Sequence, residues 1–220
     1  MTQEKAIYQG QRIFLEEKYA LDDLETLIGK PVPAVEFINT FVYGFIAIND
    51  CVISLGIPNK GLVVLPESIG KLSSVQDIQL FSNQLKTLPE SFGDLKSLRL
   101  LNLVNNKLET LPEFFTQQKS LQNLFLNRNK LDILPESFGR LKALQTLNVR
   151  NNQLKTLPES ILELPNLEML FVRNNPLDDA AMRLLKHLKE QGVNIDIDHK
   201  SEQVLKKIRD SIPMETKRSD

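Results

Sequence analysis

Residues 98–108 read LRLLNLVNNKL, with leucine at positions 98, 101, 103 and 108 and asparagine at position 106. The same pattern, Leu-x-x-Leu-x-Leu-x-x-Asn-x-Leu, returns at a constant interval of 23 residues. Its copies begin at Val52, Val75, Leu98, Leu121, Leu144 and Leu167. A fixed period of this kind indicates a solenoid, because each unit can bury its apolar face only by stacking on its neighbours. The repeat therefore directs the question of function toward an extended surface rather than a catalytic centre.

Each unit contains a short predicted strand and a return arm. Alternation along the strand places Leu, Ile and Val inward and the residue between them outward. Each arm begins with Leu-Pro, and the proline excludes continuation of the strand and favours a tight turn or a short helix. One apolar position of the arm recurs in every unit and is expected to form a spine on the convex side: Ile69, Phe92, Phe115, Phe138 and Ile161.

Asparagine recurs at one further position of the unit. Backbone groups that turn inside a stack lose water and need hydrogen-bond partners, and an amide side chain supplies both donors and acceptors. The asparagines are therefore predicted to be structural: Asn83, Asn106, Asn129, Asn152 and Asn175. Two units depart from the pattern. Lys60 replaces the asparagine of the first unit, and Thr116-Gln117-Gln118 replaces the Gly-x-Leu of the neighbouring arms.

These units resemble the 23-residue class of leucine-rich repeats, of the form NxLxxLPxxφGxLxxLxxLxL, over about residues 52–177. This class is found in Ras-group-related and LAP-type scaffold proteins and in many bacterial and archaeal intracellular proteins. The resemblance implies an α/β fold, a leucine-rich-repeat solenoid in which a curved parallel sheet lines the concave face. In this family the concave face usually binds other proteins.

The two ends of the chain break the repeat and are predicted to form helical N- and C-terminal caps. Residues 1–51 are expected to contain an amphipathic helix within 11–28 and a strand at 41–48, which turns at Asn49-Asp50 into the first of the six repeats at 52–177. Residues 178–200 are expected to hold a helix that Asp178-Asp179 begins and an edge strand at 193–198. A short helix and a disordered tail are predicted for 201–220.

Composition predicts a cytoplasmic monomer that binds neither nucleic acid nor membranes. The 27 lysine and arginine residues are balanced by 28 aspartate and glutamate residues, which gives a net charge of −1 and no general attraction to polyanions. The charged N-terminus lacks the apolar core of a signal peptide, and no segment approaches the length of a membrane span. Cys51 is the single cysteine, so no intrachain disulfide can form.

The sequence predicts no catalytic residue, no metal site and no cofactor. His187 is expected to be a partly exposed residue of the C-terminal helix, and Cys51 a buried thiol. Asp196, Asp198 and His199 fall together but are better explained as charges that protect an edge strand from pairing. The chain contains no phosphate-binding glycine loop, no nucleophile elbow and no Cys/His metal spacing.

The predicted binding surface consists of the concave positions that the repeat leaves free to vary. Several of these positions are apolar although they should face solvent, and arginines lie beside them, a composition typical of protein-binding hot spots. The expected apolar anchors are Phe81, Leu100, Val104, Phe125 and Phe171, and Arg128, Arg150 and Arg173 are expected to pair with acidic groups of the partner. The alternative interpretation is that single exposed apolar residues are normal on any protein surface.

We therefore predict a non-catalytic interaction module or scaffold that binds a protein partner, whose identity the sequence does not reveal. Three alternatives stay open. The arginine column of Arg128, Arg150 and Arg173 could bind a phosphorylated or anionic ligand. The chain could be a regulatory adaptor of an enzyme of a GTPase or ubiquitin pathway, or it could self-associate through its final strand or helical ends. The concave sheet offers on the order of 400 Å², which is about half of what each partner buries in a standard interface.

Overall fold

The structure is a computed structural model that describes residues 4–39, 41–199 and 202–203. Within these residues, eight strands form one sheet in the order β10-β9-β8-β7-β6-β5-β4-β3. Strands β4 to β10 run parallel and β3 joins the edge antiparallel, which confirms the predicted parallel sheet. The strands are β3 Gly44–Ile48, β4 Cys51–Gly56, β5 Asp77–Gln79, β6 Leu100–Asn102, β7 Asn123–Phe125, β8 Thr146–Asn148, β9 Met169–Phe171 and β10 Asn194–Asp196.

A short 3-10 helix follows the proline of each return arm. These helices are Glu67–Lys71, Glu90–Asp94, Glu113–Gln117, Glu136–Arg140 and Glu159–Glu163. The predicted spine is confirmed, because Ile69, Phe92, Phe115, Phe138 and Ile161 are all 0% exposed. Burial of one such side chain contributes about 1.5–3 kcal/mol, so the column joins the convex sides of successive units.

The asparagine column connects each unit to the unit before it. The side chain of Asn152 donates from Nδ2 to the carbonyl of Val149 in its own unit (2.9 Å) and to that of Leu126 in the preceding one (3.0 Å). Its Oδ1 accepts from the backbone N–H of Leu131, again in the preceding unit, at 3.0 Å. The other four asparagines make the same bonds, which confirms that the column is structural.

This direction of bonding accounts for Lys60. Asn83 already serves the turn of the first repeat, since its Oδ1 accepts from the backbone N–H groups of Lys60 (3.0 Å) and Leu62 (3.1 Å). An asparagine at position 60 would have no preceding repeat to bridge, because β3 is antiparallel. The Lys60 ammonium instead lies 3.8 Å from the centre of the Tyr43 ring.

The third arm keeps its 3-10 helix despite the polar residues that enter it. Thr116 and Gln118 are each only 1% exposed. The Gln118 side chain donates from Nε2 to the carbonyl of Phe92 at 2.5 Å, and the Thr116 hydroxyl donates to the carbonyl of Glu113 at 2.8 Å. In the described chain, Gln118 Oε1 is one of three buried side-chain atoms without a hydrogen-bond partner. The arm therefore preserves the fold with an unusually polar interior.

The N-terminal segment differs from its prediction. Strands β1 (Lys5–Tyr8) and β2 (Gln11–Phe14) pair as a hairpin, and helix α1 begins only at Leu15 and ends at Ile28. The helix lies within the predicted range of 11–28. The sequence did not predict the hairpin before it, in which Gln9 and Gly10 both adopt positive φ and turn the chain back on itself. The predicted turn at Asn49-Asp50 is confirmed by the pairing of β3 with β4.

The two helices lie at opposite ends of the solenoid. Helix α1 packs against the first 3-10 helix, and helix α2 (Asp179–Glu190) packs against the last one. As predicted, Asp178 begins α2, where its Oδ1 accepts from the backbone N–H of Ala181 at 2.8 Å. The function of the terminal segments as caps, with the boundaries given above, stays a prediction. Cys51 is partly exposed, so its expected burial is wrong; its Sγ lies at the start of an edge hairpin, 3.6 Å from the Asn49 carbonyl.

Glu17 is an acidic residue of helix α1 that is buried against the first repeat. Its side chain is 2% exposed, and its Oε2 accepts from the backbone N–H of Val52 at 3.1 Å. Among the described residues no donor contacts its Oε1. Burial raises the pKa of Glu17 to about 7, so the carboxyl group should titrate near neutrality in the folded protein.

We expect Asn152→Ala to lower the free energy of unfolding by about 3 kcal/mol. The substitution leaves one buried N–H and two carbonyls without partners, each at a cost of about 1–3 kcal/mol before relaxation and hydration. Gln153→Ala, which changes an exposed neighbour, should cost less than about 0.5 kcal/mol. Urea unfolding followed by circular dichroism measures both. Equal, small effects would contradict the structural role of the column.

Stability should also fall as the pH rises from about 4.5 to about 7. The folded protein binds the Glu17 proton more tightly than the unfolded chain does, so deprotonation favours unfolding across this window and stability levels off above it. The shift corresponds to roughly 3 kcal/mol at most. Glu17→Gln should therefore raise the melting temperature relative to wild type by several degrees more at pH 8 than at pH 4.5. Glu109→Gln, at an exposed site, should show no such difference; a pH-independent effect of Glu17→Gln would refute the assignment.

Candidate protein-binding surface

The concave face consists of three columns of outward side chains, each with one residue per strand or strand end. The sheet register brings the members of the first two columns side by side. Outer column 1 contains Ser54, Asp77, Leu100, Asn123, Thr146, Met169 and Asn194. Outer column 2 contains Gly56, Gln79, Asn102, Phe125, Asn148, Phe171 and Asp196. Outer column 3, two residues further along the chain, contains Phe81, Val104, Asn127, Arg150 and Arg173.

The N-terminal end of this face is covered by the chain itself. A Cβ atom at Gly56 would overlap the carbonyl oxygen of Val42 and lie 3.3 Å from Ile38 Cγ2. Glycine is therefore required where the other strands carry larger residues, because the segment before β3 crosses the sheet there. The first repeat contributes little to an accessible concave surface.

Polar residues occupy the neighbouring strands. Gln79 and Asn102 are buried, and Asn102 Nδ2 donates to Gln79 Oε1 at 2.9 Å. Asp77 is half-buried and accepts from the Ser54 hydroxyl at 3.4 Å. Burial raises the pKa of Asp77, and the Ser54 hydrogen bond and the positive charge of Arg99 oppose this increase. The polar side chains that β4, β5 and β6 contribute to outer columns 1 and 2 are thus hydrogen-bonded to one another beside the apolar residues.

The predicted anchor Phe81 packs against an exposed aromatic side chain of the segment before β3. Its ring meets that of Phe41 edge to face, with centroids 5.6 Å apart. Phe41 is 76% exposed, and Phe37 in the same segment is 64% exposed. The sequence singled out neither residue. The prediction assigned residues 41–48 to one strand, whereas β3 begins only at Gly44. A glycine at position 56, within an otherwise large-residue column, was the signal that another segment crosses the sheet.

The remaining predicted anchors lie on the concave side with partial exposure. Leu100 and Val104 belong to β6 and the residues after it, and Phe125 and Phe171 belong to outer column 2, two strands apart. Met169, in outer column 1 beside them, is 37% exposed. These apolar side chains therefore alternate with the polar residues of β8 rather than forming one continuous patch.

Asp196 connects two of the predicted arginines. Its carboxylate accepts from Arg150 Nε at 2.6 Å. It also forms an ion pair with Arg173, whose Nε lies 2.8 Å from Asp196 Oδ1 and donates to the Ile197 carbonyl at 3.1 Å. To reach β10 the Arg150 side chain crosses β9, so its guanidinium lies 4.5 Å from the centre of the Phe171 ring. Sequence analysis interpreted Asp196 as a charge that protects an edge strand. The structure instead shows a carboxylate that holds Arg150 and Arg173 in place and neutralises part of their charge.

Arg128 does not share a column with Arg150 and Arg173, and the predicted arginine column is wrong in this respect. Its backbone N–H donates to the Arg150 carbonyl, so it lies one residue further along the turn. Its φ is 60°, in the left-handed region that Asn59, Ser82, Asn105, Asn151 and Asn174 occupy in the other units. Arginine lacks the short polar side chain that favours this region. Arg128 is exposed and makes no side-chain hydrogen bond or ion pair within the described residues.

The described part of the chain gives little support for a metal site or a catalytic histidine. There, no group of three or more His, Cys, Asp or Glu residues could hold a metal ion, and His187 and His199 are both exposed. None of the helices that the structure describes has the length and hydropathy of a membrane-spanning segment.

The architecture, a parallel sheet with one 3-10 helix per 23-residue unit, defines a leucine-rich-repeat solenoid. Residues 54–108, 109–154 and 119–177 match the family described as leucine rich repeat. These spans together exceed half of the 220 residues, and the chain belongs to this family. The fold is generally non-enzymatic and commonly serves protein interaction.

Solved structures similar to this chain include bacterial, plant and animal proteins. A leucine-rich-repeat protein of Leptospira interrogans is 34% identical, with a TM-score of 0.60 over 70% of this chain and 40% of that one. The Drosophila Toll–Spätzle complex gives 27% identity and a TM-score of 0.56, over 66% of this chain and 20% of that one. A plant peptide hormone receptor in complex with its peptide gives 26% and 0.50, over 61% and 26%. The chain thus spans less than half of each. No curated protein matches it.

We expect Arg128→Asn to raise the free energy of unfolding by about 1 kcal/mol, because asparagine tolerates the left-handed backbone better than arginine does. The reciprocal change in the next unit, Asn151→Arg, should lower it by a similar amount. Urea unfolding of the two variants measures both changes in the free energy of unfolding. If Arg128→Asn destabilises the protein, the Arg128 side chain contributes a stabilising contact that outweighs the backbone strain.

Proposed function

We propose that the protein is a non-catalytic interaction module that binds a protein partner through the concave face. The observation that supports this proposal is the set of partly exposed apolar side chains on outer columns 1 to 3. These side chains lie next to an arginine that is held in place over an aromatic ring. The proposed anchors are Phe81, Leu100, Val104, Phe125 and Phe171. Apolar and aromatic groups beside arginine are enriched at the centres of protein interfaces.

The spacing of the aromatic residues supports a binding surface that spans several strands. Phe125 and Phe171 lie two strands apart, which is about 10 Å in a parallel sheet, with Asn148 between them. A partner segment lying across the strands could therefore contact both rings and hydrogen bond to the amide between them. Pre-ordered side chains such as Arg150 lose less conformational entropy on binding than mobile ones do.

The N-terminal segment supports a larger interface than the sheet alone offers. Phe41 exposes apolar area next to Phe81, and Phe37 in the same segment is also exposed. Their addition brings the surface closer to the roughly 800 Å² that each partner buries in a standard complex. We therefore include this segment in the proposed interface.

Similar proteins support the same class of function. The plant receptor and Toll structures are complexes of those proteins with their ligands. A regulatory adaptor of an enzyme, for example in a GTPase or ubiquitin pathway, would use the same protein-binding surface. We further propose that the protein is monomeric and cytoplasmic. The single free cysteine, Cys51, fits a reducing compartment.

An anionic ligand on the arginines is less favoured than a protein partner. Asp196 already pairs with Arg150 and Arg173, so an external anion would have to displace an internal carboxylate. Only Arg128 of the three lacks such a contact in the described chain, and one exposed arginine is weak support for an anion site.

The proposal predicts that Phe125→Glu abolishes partner capture, because a charge would have to be buried without a counter-charge at the centre of the interface. Full-length protein immobilised on beads and incubated with lysate of the source organism should lose its specific partner at least tenfold. Ile133→Glu is the matched control, since Ile133 is an exposed apolar residue in the turn region away from the concave columns. It should leave capture unchanged.

Met169→Glu is a second test at a more exposed position of the same face, where a charged side chain disturbs the fold less. Melting temperatures of all variants establish that each is folded. Unchanged capture by folded Phe125→Glu and Met169→Glu variants would refute the concave-face assignment.

A further inference from the structure

A cluster of positive charges lies in the turns between the 3-10 helices and the strands that follow them. The residue two positions after the 3-10 helix is lysine in three successive units: Lys96, Lys119 and Lys142. The equivalent residues of the flanking units are Ser73 and Pro165. The lysines are therefore a local property of the second to fourth arms and not a requirement of the repeat.

These lysines line a depression with a volume of about 720 Å³. Its walls are Lys96, Thr116, Gln117, Lys119, Arg140 and Lys142. Four of these six residues are cations, and none is acidic. A volume of this size falls in the usual range for small-molecule sites, about 300–1,000 Å³.

Most of the positive charge has no internal counter-charge. Lys119 and Arg140 make no side-chain hydrogen bond or ion pair among the described residues. Lys96 contacts only neutral oxygens, the Gly93 carbonyl and Gln117 Oε1 at 3.3 Å. Lys142 donates to the Glu163 carbonyl at 3.0 Å and lies 3.6 Å from the Glu163 carboxylate. Glu163 at the rim therefore neutralises at most one of the four charges.

The depression coincides with the unit that departs from the repeat. Thr116 and Gln118 replace the small and apolar residues of the neighbouring arms and are both buried, and Gln118 Oε1 has no partner in the described chain. Polar groups at core positions cost stability. Departures from the repeat pattern are expected mainly at functional or strained sites.

We propose that this depression binds a small molecule that carries two or more phosphate groups. Lysines from three successive units span about 10 Å or more, which is wider than one phosphate group. Lysine is a flexible point charge that adapts to several phosphate oxygens. No aromatic ring lines the depression, so a nucleobase would find no stacking partner, and the ligand is of the sugar- or inositol-polyphosphate type.

The test is calorimetric titration of the full chain with inorganic tripolyphosphate in 50 mM NaCl. We expect saturable binding with one site, weakened at least tenfold by Lys119→Gln combined with Arg140→Gln. Both residues are exposed, so the double variant should remain folded. Lys130→Gln combined with Lys155→Gln, which removes two exposed lysines outside the depression, should change affinity less than twofold. The absence of binding, or equal losses in the two double variants, would overturn the site.

Two further binding experiments identify the class of ligand. ATP should bind no more than threefold tighter than tripolyphosphate; a tenfold advantage of ATP would overturn the non-aromatic assignment. Phosphatidylcholine vesicles with and without phosphatidylinositol bisphosphate distinguish the source of the phosphate groups. Binding to the phosphoinositide vesicles in addition to tripolyphosphate assigns a membrane headgroup, and binding to tripolyphosphate alone assigns a soluble ligand.

Discussion

The buried asparagine of each unit is the interaction on which the rest of the structure depends. A solenoid must turn its backbone inside the stack, where N–H and C=O groups have no water to bind. One amide side chain satisfies the turn of its own unit and that of the unit before it, as the bonds of Asn152 show. Because each asparagine bridges two units, the stack is cooperative along its axis, and most outward residues are released from a role in stacking the units.

That release explains how different surfaces coexist on one short chain. The concave columns hold partly exposed apolar residues such as Phe125, while the side formed by the 3-10 helices holds the lysines of the second to fourth arms. Neither set is required by the repeat. The two surfaces use different residues of the same units.

Some features of the site were accessible from sequence and others were not, for identifiable reasons. The columns containing Leu100 and Phe125 followed from strand alternation, which depends only on local geometry. The pairing of Arg150 and Arg173 with Asp196 did not, because β10 follows α2 and does not pair with β9 at the 23-residue interval. The assignment of Arg128 to the arginine column was wrong because Arg128 lies one residue further along the turn, where the backbone is left-handed.

The amino-acid sequence by itself determined the solenoid, the inward leucines, the phenylalanine spine and the asparagine column, since all of these depend on a period that repeats along the chain. Only the tertiary structure decided which outward residues are accessible. The segment before β3 covers Gly56 and brings Phe41 against Phe81, and β10 brings Asp196 to two arginines. These contacts join segments that lie outside the repeat to residues within it. No periodicity encodes them, because they arise from where non-repeating chain packs at each end of the stack.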